Sequence, residues 1–325
     1  MSGLEDLVEA AEPNPLLRRV DALCASRSWD ELVELARRCV EAGERGKQLW
    51  PIAQHIEYRL ALEAPGEYAA TVLKPGAGKF ALGPLTEVAA STHTFDEVAP
   101  FITVPPAGAF FAAERVIRGE DLSHVDSPFI PLMELPASLE DWEPAYALAV
   151  YKSNEAEFGD PPLPETPFKE VEATPVATID DPDLETALTD LVSAWVSESN
   201  AVATCAVVEG SYTEAIAATG ALRFQVRELP AVNALGLMAW AAASGGAHGR
   251  RRGAARGRFG AWYAAAEVAD LAWPPAPDQL HSEITGIQWF QFKPEGAGTG
   301  WNLHIAVTSE AEGWSAAISA IDRTD

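Results

Sequence analysis

Ser28-Trp-Asp-Glu-Leu-Val-Glu-Leu-Ala-Arg-Arg-Cys-Val-Glu-Ala-Gly43 is the stretch that sets the fold class. Ser28 and Glu31 have the spacing of a capping box, in which the serine takes an orphan amide and the glutamate reaches back. Behind them Trp29, Leu32, Val33, Ala36, Cys39 and Val40 recur at i, i+3, i+4, i+7, i+10 and i+11. That is an apolar stripe of helical period, and Gly43 is placed to stop it. Upstream, Asn14-Pro15 pairs a cap with a first-turn proline ahead of Leu16, Leu17, Val20, Leu23 and Cys24. Downstream, residues 47–63 carry Leu49, Ile52, Ile56 and Leu60, and residues 83–90, 95–101 and 107–117 are shorter helical stretches broken by proline and glycine. Short helices joined by tight loops predict a helical-hairpin, HEAT-like array over residues 1–158.

The period changes near the carboxyl end. Ile287, Trp289 and Gln291 alternate with Gln288, Phe290 and Phe292; after Lys293-Pro-Glu-Gly-Ala-Gly-Thr-Gly300, Trp301, Leu303, Ile305 and Val307 alternate with Asn302, His304 and Ala306. This predicts a β-hairpin with a long glycine-rich turn. A lone hairpin is marginal, so it must pack on the Ala-rich helices expected near 231–243 and 253–272, or join further strands. Between the halves, residues 142–158 read as a helix. Residues 159–182, with Pro161, Pro162, Pro164, Pro167, Pro175 and Pro182, read as a semi-rigid linker. Asp181-Pro182 then caps a helix bearing Leu184, Leu188, Leu191, Val192 and Trp195. The expected fold is therefore mainly α, with an α+β domain over residues 183–325.

The chain has 325 residues, 48% of them apolar, enough for a large core. No apolar run reaches the roughly 18 to 20 residues of a spanning helix, and the acidic amino terminus lacks the form of a secretory signal. Cys24, Cys39 and Cys205 are too few and scattered for a disulfide framework, so buried thiols in a reducing cytosol are expected. A net charge of −25 disfavours nucleic acid and anionic membranes as partners.

No motif specifies a cofactor or a catalytic group. Lys74-Pro-Gly-Ala-Gly-Lys79 lacks the earlier glycine and the following Ser or Thr of a phosphate loop, and reads as a turn. The sharper feature is His248-Gly-Arg-Arg-Arg-Gly-Ala-Ala-Arg256-Gly-Arg258-Phe-Gly-Ala-Trp262-Tyr263. At 100° per residue, Arg252 and Arg256 extend the face of Phe259 and Tyr263 and should point coreward. Guanidinium groups there need internal carboxylates or an anionic ligand, and Arg252, Arg256 and His248 are the anion-binding candidates.

Residues 80–91, 114–121 and 249–263 resemble blocks of a family of acidic bacterial proteins of unknown function. The resemblance implies that the two halves travel together, and it brings no activity. Two functional readings follow: a non-catalytic interaction or scaffold protein of the cytosol that binds another protein, or an enzyme or small-anion-binding protein with its pocket at the arginine-rich helix.

Overall fold

The computed structural model describes residues 2–130 and 133–324; Met1, Pro131, Leu132 and Asp325 lie outside the described residues. The chain forms two compact units, residues 1–133 with 149–158, and residues 134–148 with 159–325.

The first unit is helical: α1 (Ser2–Ala10), α2 (Pro13–Ala25), α3 (Trp29–Glu44), α4 (Trp50–Glu63), α5 (Gly66–Thr71), α6 (Leu85–Ala90), α7 (Phe95–Val98) and α8 (Pro105–Ile117). In α3 the buried line is Leu32, Leu35, Cys39 and Ala42, while Val33 and Val40 are exposed. The stripe expected from the sequence is thus rotated by about a residue. The expected cap also differs. Glu31 pairs with Arg19 at 2.8 Å, and the Ser28 hydroxyl lies 2.9 Å from that of Ser26. The helix runs through Gly43 and ends at Glu44; the Gly46 N–H reaches the Gly43 carbonyl, and the φ of 92° at Gly46 turns the chain so that the Lys47 N–H reaches Ala42. Arg59, 5% exposed, ties α4 to α2 through Asp21 at 2.6 Å and also holds Glu63 at 2.7 Å. The 74–79 turn is bound from within, the Gly78 amide donating to the Glu57 carboxylate at 2.7 Å.

Residues 142–158 do not form the expected helix. Pro144 sits against Gly236, and the chain continues as a hairpin of β1 (Ala149–Tyr151) and β2 (Ala156–Phe158). This hairpin belongs to the first unit: the Tyr151 hydroxyl donates to Glu87 at 2.7 Å and the Tyr58 hydroxyl to the Lys152 carbonyl at 2.5 Å.

The second unit is built on a six-stranded antiparallel sheet: β3 (Lys169–Glu172), β4 (Val202–Glu209), β5 (Arg223–Leu229), β6 (Gln288–Pro294), β7 (Gly300–Ser309) and β8 (Trp314–Arg323), in the order β3-β5-β6-β7-β8-β4. The predicted β6–β7 hairpin forms, and it joins further strands. The segment 159–182, expected as a linker, instead supplies edge strand β3 and a bridge from Thr178 to Val208. The prolines of the segment flank β3 and none lies within it, so its ladder keeps every donor. Alternation gives the sheet two different faces. One packs Trp289, Leu303, Ile305, Val307 and Ile318 against α9 (Pro182–Asp190), α10 (Ser193–Glu198), α12 (Ala231–Ala243), α13 (Ala254–Val268) and α14 (Pro277–Gly286). The other packs Phe290, Ala306, Ala317 and Val208 under one short helix, α11 (Tyr212–Ala218), and is covered over only part of its width.

Candidate functional site

Because α11 is seven residues long, it covers the β4–β8–β7 end of this second face and leaves the rest to a groove. The groove has a volume of about 830 Å³, within the range of small-molecule sites. Its walls include Val171, Phe224, Phe292, Asn302 and His304, and the glycine-rich turn that follows β6 closes one side. The register explains the grouping. His304 lies opposite Ser319 on β8, Val171 on β3 lies opposite Phe224 on β5, and Asn302 stands two residues from His304 on the same face of β7.

His304 is 6% exposed, and its ring is tilted on Phe292 at 5.2 Å between centroids. Nδ1 lies 3.2 Å from the Ser319 hydroxyl. Nε2 is buried and has no hydrogen-bond partner among the described residues, and neither has the Oδ1 of Asn302. The Asn302 amide has a definite orientation, since its Nδ2 donates to the Gly300 carbonyl at 2.8 Å and an oxygen in that place would be repelled. Oδ1 is therefore an acceptor without a donor. Burial pushes the His304 pKa down to about 4, so the imidazole is neutral at physiological pH. A base so weak takes a serine proton poorly near pH 7, and among the described residues no carboxylate bonds its other nitrogen. Ser319 and His304 form a hydrogen-bonded pair.

The arginine cluster is arranged differently from the sequence expectation. Helix α13 begins at Ala254, so Arg252 precedes it; Arg252 is exposed and pairs with Glu198 at 2.8 Å. Arg256 is exposed with its guanidinium 5.5 Å from the Phe259 ring centre. His248 is exposed, its backbone N–H donating to the Ser199 hydroxyl at 3.0 Å. Neither arginine points coreward, and none of the three lines the groove. The coreward arginine is Arg258, one turn before Trp262. It is 1% exposed and reaches Glu143 at 2.6 and 2.8 Å and the carbonyls of Pro136 and Ser138 at 3.0 and 3.1 Å. Glu143 also accepts from Trp262 Nε1 at 3.0 Å and the Tyr146 hydroxyl at 2.5 Å. Burial raises the Glu143 pKa, but the Arg258 hydrogen bonds and charge outweigh it and hold the carboxyl below its usual range. Every arm of this cluster is satisfied from within, which makes it a structural lock. The glycines of α13 serve the same packing: a Cβ on Gly257 would lie 2.3 Å from the Ala239 carbonyl oxygen of α12.

Sequence alternation had already placed Asn302 and His304 on one face of the hairpin. Nothing local in the sequence says whether that face is covered. No group of His, Cys, Asp or Glu that could hold a metal ion occurs among the described residues, and no described helix is long and apolar enough to cross a membrane.

The chain belongs to a family of unknown function, DUF6183, whose model matches residues 14–324. The three blocks that carried the resemblance all fall within that span. No curated protein and no solved structure matches the chain.

Proposed function

We propose that this chain is a non-catalytic binding protein whose sheet-bearing unit holds a small ligand in the groove beside His304 and Asn302. The observation that carries the reading is the uncovered part of the second sheet face, a groove of about 830 Å³ walled by Val171, Phe224, Phe292, Asn302 and His304. Titrating the full-length protein, with its histidine rings labelled, against a broad fragment library tests this. The expected result is a set of fragments that shift His304 and its groove neighbours in saturable fashion. A library with no member that shifts them would sink the reading.

The helical unit favours a second role, as a HEAT-like surface for another protein in the cytosol. Its specific support is the Trp50–Phe80 ring pair, 4.5 Å apart yet 43% and 55% exposed. Exposed aromatics of this kind anchor protein interfaces, and the net charge of −25 argues against nucleic acid or an anionic membrane there. A Trp50→Asp, Phe80→Asp variant should lose a stoichiometric partner that the parent retains on purification from its host; equal recovery by both would remove this role.

A further inference from the structure

The helix-bearing face of the sheet carries a second pocket, of about 480 Å³, within the range of small-molecule sites. Three elements converge on it. On α12, Asn233, Leu237 and Trp240 are spaced four and three residues apart and so share one side of the helix. On β7, Trp301 continues the helix-facing row of Ile305 and Leu303. The segment before β3 supplies a third wall with Asp160, Pro161 and Leu163. That wall is tied down: Asn233 Nδ2 donates to the Pro162 carbonyl at 2.8 Å, and Arg227 donates to the Pro164 carbonyl.

Trp240 and Trp301 are half-buried and stack at 5.0 Å with 16° between their planes. The fully buried Trp195 meets both at steep angles, 5.9 and 6.4 Å away, and fixes the pair. Rings this close admit nothing between them, so they do not make a cage for a quaternary ammonium; they make a rigid apolar platform with polar edges. Neither indole N–H has a hydrogen-bond partner among the described residues, and neither belongs to the buried partnerless atoms, unlike that of Trp142. Gln291 gives its Oε1 to Arg227 at 2.9 and 2.5 Å, which leaves its Nε2 as a further donor. The single charged residue of the lining is Asp160, which is exposed and has no ion pair among the described residues. An anion would therefore meet a carboxylate and no cation. An amine would satisfy Asp160 but not the N–H donors. Hydroxyl groups donate and accept, and satisfy both. We infer that this pocket binds a neutral sugar ring of the pyranose class, its C–H surface against the indoles and its hydroxyls shared between Asp160 and the N–H donors. The inference does not rest on the reading of the groove.

The test follows the assigned indole N–H signals of Trp240 and Trp301 in the full chain, carrying nitrogen-labelled tryptophan. Glucose, galactose and mannose are the neutral probes, with glucuronate and choline as the charged ones. At least one hexose should shift both signals saturably, and both charged probes should bind about tenfold more weakly than it. Asp160→Ala, at an exposed position that the fold does not need, should weaken that hexose by about tenfold, the loss of one charge-assisted hydrogen bond. No response to any of the three hexoses would overturn the inference. So would glucuronate or choline binding as tightly as the best hexose, or a hexose affinity unchanged in Asp160→Ala. A hexose that shifts the His304 ring in place of the two indoles would put the sugar in the groove and overturn it too. Because the groove is read out at His304 and this pocket at Trp240 and Trp301, either can fail without the other.

Discussion

Glu143 and Arg258 are each 1% exposed in their side chains, and removing one leaves the other as a buried uncompensated charge. Glu143→Gln should therefore cost about 3–5 kcal/mol in urea unfolding. Arg252→Gln, which breaks a pair about 40% exposed on both sides, should cost less than about 1 kcal/mol. Similar losses at both positions would mean that the two arginines are not distinguished by burial. His304 allows a test by pH. Its folded pKa of about 4 lies below the 6.5 of an ordinary histidine, so the unfolded chain takes up the proton first as pH falls. Stability should be lost between about pH 6.5 and 4, by roughly 3 kcal/mol in total, and none of it above that window. His55 and His93 are also lowered by burial and add to the slope. The informative quantity is thus the difference between parent and His304→Gln in urea midpoints from pH 7.5 to 4.5. Parallel curves would show that His304 is not held neutral. The sequence showed that an arginine would face the core but pointed to the wrong ones. The stripe was phased on Phe259 and Tyr263, which are only half-buried and stack on each other beside Trp273. The buried line follows Arg258 and Trp262 with the small residues, because those let α12 come close.

At the scale of elements, the spacing of a capping pair is read correctly or incorrectly according to its surroundings. Thr94-Phe-Asp-Glu97 and Ser211-Tyr-Thr-Glu214 close their boxes, each glutamate accepting from the cap amide at 2.8 Å. Ser28-Trp-Asp-Glu31 has the same spacing, but Arg19 draws its glutamate away. The period-2 alternation over 287–307 was decisive, since no helix accommodates it and the β6–β7 register follows it. Glycines show the same dependence on context. Gly43 lies inside α3 with nothing within 4 Å of where a Cβ would stand, so Gly43→Ala should stabilise by about 0.5–1 kcal/mol through helix propensity. Gly257→Ala brings the same propensity gain, but its Cβ meets the Ala239 backbone oxygen and the Ala243 Cβ at 2.3 and 2.9 Å. Forcing α12 and α13 apart should cost about 1–3 kcal/mol and reverse the sign. Urea midpoints of the two variants check the contrast, and a stabilised Gly257→Ala would mean that the helices do not meet there.

At the scale of the molecule, the division between units does not follow the order of the chain. The proline-rich run at 159–182 has the composition of a linker, yet its backbone pairs with β5, and such pairing between distant segments leaves no local trace. Residues 134–148 likewise belong with a core that begins after residue 158. Trp142 lies 5.3 Å from Trp262 and stacks on His281 at 5.0 Å, Glu134 accepts from Trp273 Nε1 at 2.7 Å, and Glu143 neutralises Arg258. A fragment cut where composition suggests, residues 183–325, lacks both β3 and Glu143. Its sheet would end on the unprotected edge of β5, and Arg258 would be left as a buried charge without its acid. A fragment of residues 159–325 restores the edge strand but not the acid. Only residues 134–325 hold every segment of the unit, with the β1–β2 hairpin carried as a loop. We therefore expect residues 134–325 to be soluble with a cooperative thermal transition, 159–325 to melt lower and less cooperatively, and 183–325 to aggregate. Adding Arg258→Met to the 159–325 fragment should recover part of its stability, because the uncompensated charge is then gone. Thermal melts of the four fragments decide the matter. Fragments 159–325 and 134–325 melting together would mean that residues 134–148 contribute nothing to the core they line.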